Sequence, residues 1–438
     1  MRILDVITVP VRTGFFTDDQ AAIRAGAQHD GFGYVGAPIT PGFTAIRQPG
    51  EALSVLLQLD DGTVEFGDCS SVQYSGAGGR DPVFTAAVAA ADIAAYVVPL
   101  LRGRDLDEGF RSLAAAVDAI RTPSGGLHTA VRYGVTQAIL AAVAAARRQT
   151  MAETIRDEYD TGAPLRPVRM YAQSGDDRHI NVDKMILKAV DVLPHALINT
   201  VEGKLGRHGE LLADYLRWLV ARIEALRPTA DYHPRIHIDT YGTVGVAFGG
   251  NVTAIADYLA SLAQICAPYE LAVEHPVDAG SREAQVEFYA ALRRELHSRP
   301  VAPLLVVDEW CNTLEDIKEF VSAAAADVIH VKTPDLGGVD RAIEALLLVR
   351  AEGFEAYCGG TCNETDRSAQ VTAHVAMACE AAQVLAKPGM GVDEGLMIVG
   401  NEMARVAALA AMRTAGTGAA STETDLTRAP DVETVGQK

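Results

Sequence analysis

Four short apolar runs in the second half of the chain each stop at a charge. They are Arg235-Ile-His-Ile-Asp239, Leu271-Ala-Val-Glu274, Leu304-Leu-Val-Val-Asp308 and Val328-Ile-His-Val-Lys332. The terminal charges lie 35, 34 and 24 residues apart. That is about one strand-plus-helix unit, roughly 30 residues. Apolar, β-branched runs bounded in this way read as buried parallel strands. A chain of such units folds as a closed barrel or as a doubly wound sheet. In a barrel the working groups stand at the C-terminal strand ends, where these charges fall.

Composition narrows the field. The chain has 438 residues, 49% of them hydrophobic, which is material for one large or two ordinary domains. Its net charge of −19 disfavours nonspecific binding to nucleic acid or to an anionic membrane. The cysteines, Cys69, Cys266, Cys311, Cys358, Cys362 and Cys379, are too sparse for a disulfide framework and suit a reducing, cytoplasmic setting. Cys358-Gly-Gly-Thr-Cys362 has no second ligand pair at finger-like spacing, so structural zinc is not expected. The N-terminus reads as a first strand, without the long apolar region of a signal peptide. The apolar run 84–102 carries Asp92 and Pro99 and reads as a buried helix, short of a membrane span.

Residues 1–80 are rich in strand and turn signals. Leu59-Asp-Asp-Gly-Thr-Val64 marks a hairpin turn. Residues 85–101, 107–120 and 128–159 have helical period. Together they predict an α+β capping domain over 1–160. From 161 to 413 the pattern alternates. Strands are expected at 167–172, 196–200, 235–239, 270–274, 304–308, 328–332, 354–358 and 382–386. Helices are expected at 209–226, 252–266, 281–297, 313–324, 338–352 and 366–380. This is the pattern of a (β/α)8 TIM-like barrel, with an irregular start because the first connection is short and polar. A doubly wound sheet is the competing topology. Residues 414–438 have no apolar period and read as a disordered tail.

Asp239, Glu274 and Asp308 would stand side by side on consecutive strands. Taken singly, each could be a helix cap or a loop ion pair. Together, hard oxygen donors without sulfur favour Mg²⁺, with Mn²⁺ as the alternative. Lys332 ends the next strand, where a partly desolvated amine near a metal can have a lowered pKa and act as a base. Carboxylate-held metal plus a lysine suits removal of a proton α to a carboxylate, the arrangement of enolase-superfamily sites.

Longer strings carry a closer resemblance. They include Gln73-Tyr-Ser-Gly-Ala-Gly-Gly-Arg-Asp-Pro82, Leu127-His-Thr-Ala-Val-Arg-Tyr-Gly134, Ala172-Gln-Ser-Gly-Asp-Asp-Arg178 and Pro194-His-Ala-Leu-Ile-Asn199. Others are Asp308-Glu-Trp-Cys-Asn-Thr313, Lys332-Thr-Pro-Asp-Leu-Gly-Gly338, Gly359-Gly-Thr-Cys-Asn-Glu-Thr365 and Lys387-Pro-Gly-Met-Gly-Val-Asp-Glu-Gly395. With these, the chain resembles the methylaspartate ammonia-lyases of the enolase superfamily from residue 1 to about 413.

The resemblance implies a cap followed by a modified barrel. It implies reversible loss of ammonia from (2S,3S)-3-methylaspartate to give mesaconate. It puts the metal on Asp239, Glu274 and Asp308, the C3 base on Lys332 and a second base on His195, which is read as the start of the second barrel strand. Gln73 and Gln173 match side chains that hold the amino and carboxylate groups. Thr361 and Cys362 match the α-carboxylate site, where a Gly-Gly-Thr turn can offer backbone N–H groups. Tyr357 and Leu385 match the wall around the methyl group. A potassium requirement and a homodimer are implied by the same analogy.

One departure stands beside the base. The family reads Gln-Ile-Lys where this chain has His330-Val331-Lys332. Residues 330 and 332 share a face of a strand, so His330 is expected to face the substrate, and a charged ring there would lower the Lys332 pKa. Tyr171 replaces an expected phenylalanine. His330 keeps open a lyase or racemase acting on a differently substituted aspartate. A non-catalytic barrel protein is the third reading, since fold alone does not fix function.

Overall fold

The computed structural model describes residues 1–76, 79–123, 125–390 and 392–418. Its first part is a three-stranded antiparallel sheet of β1 (Ile3–Asp18), β2 (Arg47–Leu59) and β3 (Val64–Cys69) in that order. The expected turn joins β2 to β3. Gly62 takes φ +89° there, a conformation that favours glycine. The helix Thr129–Ala146 lies on this sheet and is buried on almost every side, which explains its apolar character all round. It sits close because Gly67 and Gly134 leave room. A Cβ on Gly67 would come 2.4 Å from the Gly134 carbonyl oxygen. The expected helix 128–159 is two helices, because Thr150 and Glu153 form a reciprocal capping box that starts Met151–Tyr159 afresh. Thr150-Met-Ala-Glu153 carries that signal in the sequence.

Eight parallel strands follow: β4 (Arg169–Tyr171), β5 (Val192–His195), β6 (Arg235–Asp239), β7 (Leu271–Glu274), β8 (Leu304–Val307), β9 (Val328–Val331), β10 (Glu355–Cys358) and β11 (Gln383–Leu385). They close in chain order, with β11 pairing to β4. A helix follows each strand, so the barrel expectation holds and the doubly wound sheet does not. One interior layer joins Tyr171, Val192, Ala272, Val306, Val328, Tyr357 and Leu385.

The second strand is displaced from its expected place. It spans 192–195, not 196–200, so His195 stands at the C-terminal end of its strand and not at the start. The cause is local. His195, Ala196 and Leu197 take φ of 67°, 66° and 49°, which turns Ala196-Leu-Ile out of the sheet. Non-glycine residues in this region cost about 1–3 kcal/mol each and gather at functional sites. Pro194, which argues against a strand in sequence, is accommodated at the weak β4–β5 seam. That seam has one register pair, Tyr171 with Val192. The Ala172 and Ser174 N–H groups extend it by donating to the Val192 and Pro194 carbonyls.

The last helix, Glu394–Gly418, runs past the expected start of the tail at 414. The rest of that expected tail, 419–438, lies outside the described residues. Thr129–Ala146 and Glu394–Arg413 are long and apolar enough to cross a membrane, but the first is 78% buried. The second lays Leu396, Val399, Met403 and Val406 against the fold.

Candidate active site

Parallel strands deliver their terminal residues to one rim. Asp239 and Glu274 close β6 and β7, while Asp308 and Lys332 follow β8 and β9 by one residue. These four line one hollow with His195, Gln73, Gln173, His330, Tyr357, Thr361, Cys362 and Leu385. Every expected site residue therefore meets in one place. Gln73 comes from the cap, so the hollow is roofed by the first part of the chain.

The carboxylates are not all turned toward one another. Glu274 Oε1 and Asp308 Oδ1 approach His330 Nδ1 at 2.7 and 2.9 Å. Asp239 turns away: its Oδ2 lies 3.4 Å from His195 Nε2, and its Oδ1 accepts the Tyr241 N–H. The described atoms that could grip an ion together are thus those of Glu274, Asp308 and His330, with Asp239 beside them. His330 faces the same hollow as Lys332, as its strand position implies. It bridges two of the acids and stacks on Tyr357, with ring centroids 4.1 Å apart. Its Nε2 packs on the next strand's loop, where a Cβ on Gly359 would lie 1.9 Å away.

Lys332 Nζ lies 2.6 Å from Asp308 Oδ1 and 3.7 Å from Glu309 Oε2. Burial draws its ammonium pKa down, but Asp308 and Glu309 outweigh burial and hold it above the ordinary lysine value. For His330, burial lowers the pKa and Glu274 and Asp308 more than reverse that, to about 9. Burial also pushes the Asp239 carboxyl up. A contact with His195 opposes this, and repulsion from Glu274 and Asp308 adds to it.

A divalent cation fits this donor set. Asp308 Oδ1 is buried and has close cations but no aligned hydrogen-bond donor among the described residues. Burial raises the Asp239 carboxyl, while His330 beside Glu274, and Lys332 and His330 beside Asp308, outweigh burial and hold those two low, so of the three buried acids Asp239 is the one short of positive charge. Hard oxygens in that state suit Mg²⁺ or Mn²⁺.

The anion-binding turn needs correction. The Thr361 N–H donates to Glu364 Oε1 at 3.1 Å, and the Gly360 N–H faces His330 Nε2 at 3.4 Å. Those two amides already have partners within the protein, while the Thr361 and Cys362 side chains line the hollow.

The N-terminal and C-terminal parts of the methylaspartate ammonia-lyase family match residues 1–160 and 163–412. The chain belongs to the methylaspartate ammonia-lyase family. It is 55% identical over 413 residues to the methylaspartate ammonia-lyase of Clostridium tetanomorphum, covering 94% of this chain and all of the relative. The structure of that enzyme as a Mg complex superposes with a TM-score of 0.91, covering 94% of this chain and 100% of the other. The Citrobacter amalonaticus methylaspartate ammonia-lyase, solved with (2S,3S)-3-methylaspartic acid, is 48% identical. Its TM-score is 0.92, with 93% of this chain and 99% of the other covered. Muconate lactonizing enzyme of Pseudomonas putida, 14% identical with 86% and 85% covered, shares the fold at a TM-score of 0.56.

Three groups that matter to the site escape the sequence reading. His237 Nε2 lies 2.9 Å from Glu274 Oε2, and its Nδ1 meets Gln383 Nε2 at 3.0 Å. An amide nitrogen can only donate, so Nδ1 accepts and Nε2 carries the proton to Glu274. Strand parity with Asp239 places His237 on the barrel interior and could have found it. Arg80 reaches from the cap to Glu309 at 3.0 Å and to Asp335 at 2.9 Å. Glu309 adjoins Asp308, but no periodicity reveals the Arg80 contact, because it joins the two parts of the fold.

Proposed function

We propose that this protein catalyses the reversible elimination of ammonia from (2S,3S)-3-methylaspartate to give mesaconate. The observation that carries the reading is the single hollow where Lys332 meets Asp308, Glu274, Asp239 and His195. The relative solved with (2S,3S)-3-methylaspartic acid supports the substrate. Asp239, Glu274 and Asp308 would hold a divalent cation, Mg²⁺ first and Mn²⁺ as the alternative, which supplies positive charge beside the substrate carboxylate. Lys332 takes the C3 proton at Nζ, which requires the neutral amine. His195 is the second base. Gln73 and Gln173 hold the amino group and a carboxylate, Thr361 and Cys362 hold the α-carboxylate, and Tyr357 and Leu385 wall the methyl group. Potassium dependence, a homodimer, a cytoplasmic setting and a boundary between cap and barrel near residue 160 complete the proposal. Six buried free cysteines agree with a reducing compartment.

A lyase or racemase acting on a differently substituted aspartate is the second reading, favoured by the His330 ring stacked on Tyr357. The test is a divalent-metal-dependent rise in absorbance of the conjugated diacid, with ammonia release, on both methylaspartate epimers. Lys332→Ala should lose roughly 10²–10⁴-fold in rate with an unchanged circular dichroism spectrum. Folded, metal-loaded protein that turns over neither epimer would sink the reading. Faster turnover of another substituted aspartate would select the second.

A further inference from the structure

We propose that Asp18 and Arg47 set the direction of the Gln73 amide, and so make Gln73 an acceptor for the amine that leaves or attacks. The inference rests on the proposed role of Gln73 at the amino group and names what enforces it.

The lock begins in strand pairing. Asp18 ends β1 and Arg47 begins β2, and the two are direct partners in the antiparallel register. Side chains of facing residues meet on one side of a sheet. Here Arg47 donates from Nε to Asp18 Oδ1 at 2.8 Å and from Nη2 to Asp18 Oδ2 at 2.6 Å. This is the two-pronged guanidinium–carboxylate contact, stronger and more directional than a single bond. Arg47 also donates to the Phe32 carbonyl and lies 4.5 Å from the Phe32 ring centroid and 5.1 Å from that of Tyr34. The side chains of Arg47 and Asp18 are 13% and 1% exposed, so solvent screens the pair little.

A carboxylate held in this way accepts and cannot donate. Gln73 Nε2 donates to Asp18 Oδ2 at 2.8 Å, and the Asp18 N–H donates to the Gln73 carbonyl at 2.9 Å. The side-chain amide is therefore pinned at its nitrogen. Its oxygen must point the other way, where Cys362 Sγ donates to it at 3.3 Å on the wall of the hollow. An amide whose oxygen faces the site accepts from an ammonium or from ammonia. A reversed amide would present N–H groups to the same donor and repel it. Asp18 and Arg47 act through Gln73, so they are positioning residues.

The experiment runs the reaction backwards, from mesaconate and ammonia, with Mg²⁺ present. In Asp18→Asn the partner both donates and accepts, so Gln73 is free to turn over. The KM for ammonia should rise roughly tenfold or more, the scale of a hydrogen bond to a charged group. The KM for mesaconate should stay within about twofold, a split that general loosening of the fold would not produce. Arg47→Lys keeps the charge and should fall between wild type and Asp18→Asn. An unchanged ammonia KM in Asp18→Asn, or an equal rise in both KM values, overturns the inference. Wild-type protein with no activity on mesaconate and ammonia would instead overturn the proposed function.

Discussion

His330 Nδ1 stands 2.7 Å from Glu274 Oε1, while His237 Nε2 holds the other oxygen at 2.9 Å. Both oxygens of Glu274 are thus engaged by imidazoles. The His330 ring also approaches Asp308 Oδ1 at 2.9 Å, so it engages one of the oxygens that a cation needs and stands close to a second. His330→Leu removes the competing donor at similar bulk. Mg²⁺ should bind about tenfold tighter, the scale of one hydrogen bond to a charged group. Isothermal titration calorimetry on wild type and variant decides this. Weaker binding by the variant would mean that the ring itself helps to hold the ion.

Arg80 keeps Glu309 occupied 3.7 Å from the Lys332 amine. In Arg80→Gln, Glu309 loses its partner and is drawn to Lys332, away from a position where the amine can reach substrate. The rate constant kcat should fall roughly tenfold to a hundredfold. Arg80→Gln/Glu309→Gln should recover most of that loss, a non-additivity expected only of residues acting on each other. If the double variant is as slow as the single one, Arg80 matters for another reason, such as holding the cap to the barrel.

The contrast between these two residues shows what the sequence could reveal. The strand-end charges were legible because a barrel converts a 30-residue repeat into a ring of adjacent termini. The hairpin at Gly62 and most helix limits follow from turn and capping chemistry within a few residues. The second strand lies outside its expected span because its end is set by a left-handed turn at His195–Leu197, which ordinary side chains do not announce. Asp239, Glu274 and Asp308 meet at one rim, but Asp239 faces His195 while His330 joins the other two. Side-chain direction at a crowded rim depends on neighbours from other strands, and periodicity carries no information about them. The resemblance to a family supplied the Gln73 and Thr361 positions, which local patterns alone leave as ordinary loop residues.

Lys387 and Glu364 form an ion pair, 2.7 Å long, with both side chains fully buried. The Lys387 amine also donates to the Gly359 carbonyl, while Glu364 takes the Tyr133 hydroxyl and the Thr361 N–H. The pair therefore ties the cap helix to the turn that carries Thr361 and Cys362. Lys387→Met strands a buried carboxylate and should cost about 3–5 kcal/mol in chemical denaturation. Lys387→Met/Glu364→Gln should regain part of that loss, because no lone charge remains. A single variant within about 1 kcal/mol of wild type would mean that the pair is relieved by solvent or by protonation.

Asp340 offers a stability switch outside the lining of the proposed metal hollow. It is 5% exposed, and its Oδ1 has no hydrogen-bond partner among the described residues. Burial pushes its carboxyl up to about 6. Arg341 opposes this, and Asp118 and Glu344 add to it. Between the unfolded value of 3.8 and about 6, the native protein holds a proton that the unfolded chain has lost. Stability from this group is therefore present below pH ~4 and is lost as pH rises through about 6. The loss should approach roughly 2–3 kcal/mol, at 1.36 kcal/mol per unit. Asp340→Asn is neutral at every pH and should escape it. Thermal unfolding of both proteins should give similar midpoints near pH 4 and a more stable variant above pH 6. A constant difference across that range would mean that the carboxyl does not titrate in this window.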